Sequence, residues 1–204
     1  MEENCRSTIN KGSGRFCTGR HGRGPGSYHM FDQEVIFNEI NLRPGEYVLD
    51  LGCGSGDYSR HAADIVGEEG KVFSYDAQPY TINVLKECIA GEGIKNIIAV
   101  CQDITDPYPL PDDYIDVCLI ITVLHTIDFK KNSMSLFNEI YRVLKPGGRL
   151  ITVDCKKIAT SYGPPLHMRI REEDLIREIS GYKFEMFKNR DLGDFYMLQF
   201  CKIL

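Results

Sequence analysis

Three glycines at alternate positions, Gly52, Gly54 and Gly56, stand between two acids, Asp50 and Asp57, with Tyr58 following. The apolar run from Tyr47 to Leu51 leads into them and a helix-like segment leads away. A backbone without Cβ atoms that faces a helix N-terminus can hold a nucleotide-like ligand. The flanking acids narrow the choice. A pyrophosphate seeks N–H groups and an uncharged helix start, so Asp50 and Asp57 would repel it, whereas they tolerate a ligand with a cationic amino-acid tail. Dinucleotide binding would also need the third glycine at position 57, which is Asp. That spacing disfavours a nicotinamide oxidoreductase.

Further polar residues fall where apolar runs end. Residues 71–75 read as a strand that stops at Asp76, with Ala77 beside it; an acid there can accept two hydrogen bonds from ribose hydroxyls. After a third strand, 96–101, come Asp103, suited to an adenine amino group, and Ile104, suited to cover the ring. The strand 115–121, apolar apart from Asp116, is followed by Thr122, a cofactor contact through backbone or hydroxyl, and by His125, whose imidazole can take a proton at neutral pH.

The elements that must position these residues are legible too. Apolar residues at Leu136, Phe137, Ile140, Tyr141 and Leu144 make a helical stripe over 133–144, which Lys145-Pro146-Gly147-Gly148 should stop before a fifth strand, 149–154. A helix is expected over 172–180. Two β-rich runs, 182–188 and 195–201, with a turn over 189–194 between them, predict a terminal antiparallel hairpin.

Motif order and the Leu-Lys-Pro-Gly-Gly stop resemble the ubiquinone/menaquinone-biosynthesis-like subgroup of class I S-adenosylmethionine-dependent methyltransferases. The resemblance is carried by residues 44–155 and extends over nearly the whole chain once the hairpin is included. It implies an α/β Rossmann-like fold: a seven-stranded, mostly parallel sheet with a C-terminal antiparallel hairpin strand and helices on both faces. It also implies S-adenosylmethionine as cofactor, with Asp50, Gly52, Gly54, Gly56, Asp57, Tyr58, Asp76, Ala77, Asp103, Ile104 and Thr122 around it. Strands one, four and five should be neighbours, which gathers the acceptor side from two segments. Tyr28, His29 and Met30 approach from the N-terminal side. Lys157, His167 and Arg169 follow the fifth strand as a basic mouth for an anionic or enolate-like acceptor. His125 and His167 are the candidate catalytic groups.

The acceptor is expected to be a small molecule offering an O, C or S nucleophile. Alternatives are a protein or RNA acceptor, a metalloid or thiol, and a non-catalytic S-adenosylmethionine-binding domain. Amine methylation of nucleic-acid bases is disfavoured, because the segment after the fourth strand reads Ile121-Thr122-Val123-Leu124 rather than Asn/Asp-Pro-Pro-Tyr/Phe. The net charge of −5 argues against nucleic acid, although residues 1–30 hold five basic and two acidic side chains. At 204 residues a single domain is expected, 28–204, preceded by a Gly/Arg-rich leader or lid, 1–27. No run of apolar residues is long enough for a membrane span, and a cytoplasmic protein is expected. Eight cysteines without a C-x-x-C pair give no zinc pattern, and no metal is expected.

Overall fold

The computed structural model describes residues 27–204. Within them the chain alternates strand and helix: α1 (Gln33–Ile40), β1 (Tyr47–Leu51), α2 (Asp57–Val66), β2 (Lys71–Asp76), α3 (Pro79–Glu92), β3 (Ile97–Cys101), β4 (Ile115–Ile121), α4 (Phe129–Val143), β5 (Leu144–Cys155), α5 (Glu172–Ser180), β6 (Phe184–Leu192) and β7 (Phe195–Lys202). The seven strands form one sheet in the order β3-β2-β1-β4-β5-β7-β6. Pairings from β3 through β5 are parallel, and β7 runs antiparallel to β5 and β6. The expected fold class is observed, and β1, β4 and β5 are neighbours.

Strand alternation decides which helices cover which face. Val48, Val117, Leu119 and Ile121 pack with Ile36, Phe37 and Ile40 of α1 and Ala62 and Val66 of α2. Leu49, Leu51, Cys118 and Ile120 face Leu136, Phe137, Ile140 and Val143 of α4 and Leu175 and Ile179 of α5. Both faces are therefore buried, which is why the central strands are largely apolar, Asp50 and Asp116 apart. Each of these fully buried aliphatic side chains is worth about 1.5–3 kcal/mol relative to exposure.

Three boundaries differ from expectation. Helix α4 begins four residues earlier, where the Asp128 side chain accepts the Lys131 N–H. Lys145-Pro146-Gly147-Gly148 does not separate a helix from a strand. Ile115 pairs with Leu144 and Val117 with Arg149, so these four residues loop out of β5 opposite Asp116. Proline cannot donate to the ladder and Gly147 adopts φ 76°, so pairing resumes only at Arg149. Finally, β6 continues to Leu192, and the hairpin turn is only Gly193-Asp194. Gly193 takes φ 74° and donates its N–H to Asp191 Oδ1 at 2.8 Å.

Among the described residues, no helix is long and apolar enough to cross a membrane, and no group of His, Cys, Asp and Glu could hold a metal ion. Residues 1–26 of the expected leader lie outside the described residues.

Candidate active site

The glycine turn sits where β1 ends. Gly52 and Cys53 both donate N–H to the Tyr75 carbonyl, at 2.7 and 3.0 Å, which ties the turn to β2. A Cβ at Gly52 would stand 2.4 Å from a Val123 methyl, and one at Gly56 would stand 2.3 Å from a Leu85 methyl. These two glycines let the exit of β4 and helix α3 press against the turn. Gly54 differs: its φ is 55°, and a Cβ there would meet nothing within 4 Å. The centre of the turn faces open space.

The acids around that space are held but not saturated. Asp76 Oδ2 accepts the Gly54 N–H at 3.1 Å and Oδ1 accepts the Gln78 N–H at 2.8 Å. A carboxylate offers about four lone-pair sites, so acceptor capacity remains for two ribose hydroxyls. Asp103 Oδ1 takes both the N–H and the O–H of Thr105, leaving Oδ2 toward solvent; Ala77 lies exposed. Asp57 opens α2 and accepts the Ser55 hydroxyl at 2.7 Å. An open cradle ringed by carboxylates fits a nucleoside with a cationic amino-acid tail, so the residues present suit S-adenosylmethionine.

Two expected cofactor residues, Asp50 and Ile104, are placed differently from the expectation, and the hydroxyl of Thr122 is already engaged. Asp50 points beneath α2 rather than at the cradle: it is 2% exposed and accepts the Ser59 hydroxyl at 2.5 Å, and Ser59 in turn receives the Ser74 hydroxyl at 2.8 Å. Burial lifts its carboxyl to about 6, opposed by the Ser59 hydrogen bond and aided by the charge of Asp76. Ile104 is 5% exposed, packed with Tyr75 and Tyr108 in the core, and offers little side chain to cover a ring. Thr122 keeps its hydroxyl 2.7 Å from both the Ile121 carbonyl and the Ser27 hydroxyl. Its φ of 57° is strained for a β-branched residue.

Ser27 belongs to a short 3-10 helix, Ser27–Met30. The next residue, Tyr28, bonds through its hydroxyl to His61 Nδ1 at 3.0 Å and meets the buried Tyr58 ring edge-on at 5.0 Å. This segment therefore bridges the exit of β4 and the first turns of α2, which flank the glycine turn. The His29 ring meets Tyr28 at 5.5 Å, and Met30 is exposed.

The most developed polar pair is one that sequence reasoning half missed. His125 lies in a short 3-10 turn, Leu124–Thr126, just past β4, and its Nδ1 is 2.8 Å from Oδ1 of Asp154 near the end of β5. Asp154 is fully buried, and the same oxygen accepts the Cys155 N–H. Since a carboxylate only accepts, the Nδ1 position carries the proton, and Nε2 of the neutral ring is left as the basic nitrogen. Asp154 had a readable signal: like Asp76, it is an acid closing an apolar strand at the sheet edge where ligands bind.

The basic mouth is not assembled as expected. Lys157 and His167 are exposed, and no hydrogen bond or ion pair links either to His125 among the described residues. Arg169 is 4% exposed, buried within the loop after β5. Its guanidinium donates to the carbonyls of Pro164, Lys156, Ile158 and Tyr162 and to the Thr160 hydroxyl, which uses all five of its N–H groups. None remains to grip an anionic acceptor.

Residues 42–190 match the family model described as a methyltransferase domain. The ubiquinone/menaquinone biosynthesis C-methyltransferase UbiE of Vibrio vulnificus is 33% identical over 132 residues, covering 65% of this chain and 50% of that protein. The protein of the same name from Neisseria meningitidis is 32% identical over 130 residues, covering 64% and 51%. The chain thus spans about half the length of the curated relatives it matches. Among solved structures, a SAM dependent methyltransferase from Aquifex aeolicus superposes with a TM-score of 0.80 at 26% identity, covering 88% of this chain and 94% of that one. The [4+2]-cyclase SpnF shares the fold, with a TM-score of 0.71 at 18% identity over 84% of this chain and 79% of that one.

Proposed function

Because the chain belongs to the methyltransferase domain family of class I S-adenosylmethionine-dependent enzymes, we propose that it transfers a methyl group to a small-molecule acceptor that loses a proton in the reaction. The observation that carries this reading is the His125–Asp154 pair at the edge of the sheet where β1 also ends in the open glycine turn.

When bound, S-adenosylmethionine supplies an activated sulfonium methyl group. The chain has to orient it and manage the acceptor's proton. In this reading Gly54 leaves room for the ligand, Asp76 accepts its ribose hydroxyls, and Asp103 accepts from its adenine amino group. Val123, wedged against Gly52, keeps the exit of β4 close to the turn. His125 Nε2 then takes the acceptor proton while Asp154 holds Nδ1–H and stabilises the imidazolium that forms. His167 stays an exposed residue of the acceptor side. The curated relatives are named for C-methylation in quinone biosynthesis, so a quinol-type carbon acid is the first acceptor to test. Residues 28–204 act as one methyltransferase domain in this proposal, in the cytoplasm.

The test is incubation with methyl-labelled S-adenosylmethionine and either a naphthoquinol or a deproteinised metabolite extract. Label should appear in a small molecule. Label confined to protein or RNA, or calorimetry showing no binding of S-adenosylmethionine, would overturn the proposal.

A further inference from the structure

Sixteen residues, 156–171, separate β5 from α5 without a helix or strand of their own. Loops of that length in compact domains are commonly functional or poorly ordered. This one is built around a single side chain. Arg169 reaches back under the loop, donating from Nε to the Pro164 carbonyl at 2.8 Å, from Nη1 to those of Lys156 and Ile158 at 3.2 and 2.8 Å, and from Nη2 to the Thr160 hydroxyl and the Tyr162 carbonyl at 2.7 and 2.8 Å. Four carbonyls and a hydroxyl spread over nine residues thus converge on one rigid, planar cation. The loop wraps it closely, since a Cβ at Gly163 would come within 3.3 Å of Nη2. No carboxylate pairs with Arg169 among the described residues, so its charge is met by these four carbonyls and one hydroxyl, while Lys156 and Tyr162 tether the loop from outside to Asp191 and Asp194.

The loop is also tied to the acceptor side. It leaves β5 directly after Asp154 and Cys155. Tyr162 stacks on Phe195 with centroids 6.3 Å apart, and Phe195 meets Phe31 of the N-terminal segment at 4.6 Å. Ile158, Tyr162, Leu166 and Met168 expose apolar surface, while the carbonyls of Ile158 and Tyr162 are held from within by Arg169. A wall with fixed backbone and exposed apolar side chains can orient a ligand at little entropic cost.

Resting on the methyl-transfer reading above, we propose that Arg169 is a positioning residue: it holds loop 156–168 as the rigid wall against which the acceptor is oriented, and so sets acceptor affinity without touching acceptor or cofactor. Lysine cannot replace it, because an ammonium has three donors and no planar fork.

The experiment compares the unmodified chain with Arg169→Lys and Arg169→Ala, using labelled S-adenosylmethionine and serial dilutions of one deproteinised metabolite extract as the acceptor source. S-adenosylhomocysteine affinity is measured by calorimetry and loop mobility by hydrogen exchange of peptides covering 156–168. Both variants should need about tenfold more extract for half-maximal transfer, with the plateau rate within about threefold of the unmodified chain, as for loss of uniform binding. S-adenosylhomocysteine affinity should hold and loop exchange should quicken. Millimolar guanidinium should restore Arg169→Ala but not Arg169→Lys, whose side chain occupies the cavity. If Arg169→Lys transfers with the unmodified half-maximal dilution, or if the plateau alone falls, the assignment is wrong although methyl transfer stands. If the unmodified chain labels nothing in the extract, the methyl-transfer reading fails and this inference fails with it. Should Arg169→Ala not fold, Arg169→Lys alone decides.

Discussion

Asp154 and His125 meet across neighbouring strand ends, Oδ1 to Nδ1 at 2.8 Å, and the second Asp154 oxygen is buried without a hydrogen-bond partner among the described residues. A fully buried acid with one oxygen unpartnered costs stability, so its position is better explained by what it does to the ring than by folding. His125→Ala should lower methyl transfer by about 10²–10⁴-fold, the usual range for a general base. Asp154→Asn should also lower it, because an amide can present N–H to Nδ1 and move the ring proton to Nε2. Binding of S-adenosylmethionine should change by less than about twofold in either variant, under about 0.4 kcal/mol. Single-turnover rates alongside calorimetry check this, and equal losses of rate and cofactor affinity would place the pair in the cofactor site instead.

Asp76→Ala should weaken S-adenosylmethionine binding by about 1.5–3 kcal/mol, the scale of hydrogen bonds to a charged group. The same substitution frees the Gly54 and Gln78 N–H groups that the carboxylate now holds. Asp76→Asn separates the two effects, since its amide oxygen can still accept from one of these N–H groups. A cofactor dissociation constant unchanged in Asp76→Ala would remove Asp76 from the ribose role.

The glycines of the turn should divide by phenotype. Gly52→Ala combines φ 76° with a 2.4 Å approach to Val123, and should cost about 2–4 kcal/mol of folding stability. Gly54→Ala meets no atom, so only the left-handed backbone penalty of about 1–2 kcal/mol applies and the chain stays folded. Its new methyl group would project into the cradle and should reduce cofactor affinity. Thermal melts with and without S-adenosylhomocysteine distinguish the two, and a ligand-induced rise in Tm as large in Gly54→Ala as in the unmodified chain would contradict the cradle.

Asp50 makes stability depend on pH in a set direction. Its carboxyl lies at about 6 when folded, against 3.8 ordinarily, so the folded chain holds the proton more tightly than the unfolded one. This contribution is fully present below about pH 4, is lost as pH rises through 6, and is constant above. Asp50→Asn removes the titration while leaving an acceptor for the Ser59 hydroxyl. Between pH 4 and pH 7 the unmodified chain should lose about 1–3 kcal/mol more unfolding free energy than Asp50→Asn. Urea unfolding of the ligand-free protein at both pH values tests it; parallel profiles would show that Asp50 ionises freely despite its burial.

The order of strands and helices, the glycine turn and the acids that close strands can be read from the residues alone. Each of these is local: apolar periodicity, a glycine where φ is positive, or an acid at the end of a buried run, all readable within a few residues. Gly52, Gly54 and Asp76 stand out on those grounds. How side chains from distant segments are used depends instead on the packing of the folded chain. Asp50 turned beneath α2 because side chains alternate along β1, and its side chain falls on the Ser59 side of the sheet. Asp154 meets His125, 29 residues earlier, because helix α4 returns the chain so that β5 lies beside β4 in parallel register, with Val153 opposite Ile121. Arg169, expected in a basic mouth for an anionic acceptor, is instead the centre of its loop, since a buried guanidinium must satisfy all five donors and the nearest acceptors are four carbonyls and one hydroxyl of the chain folding around it.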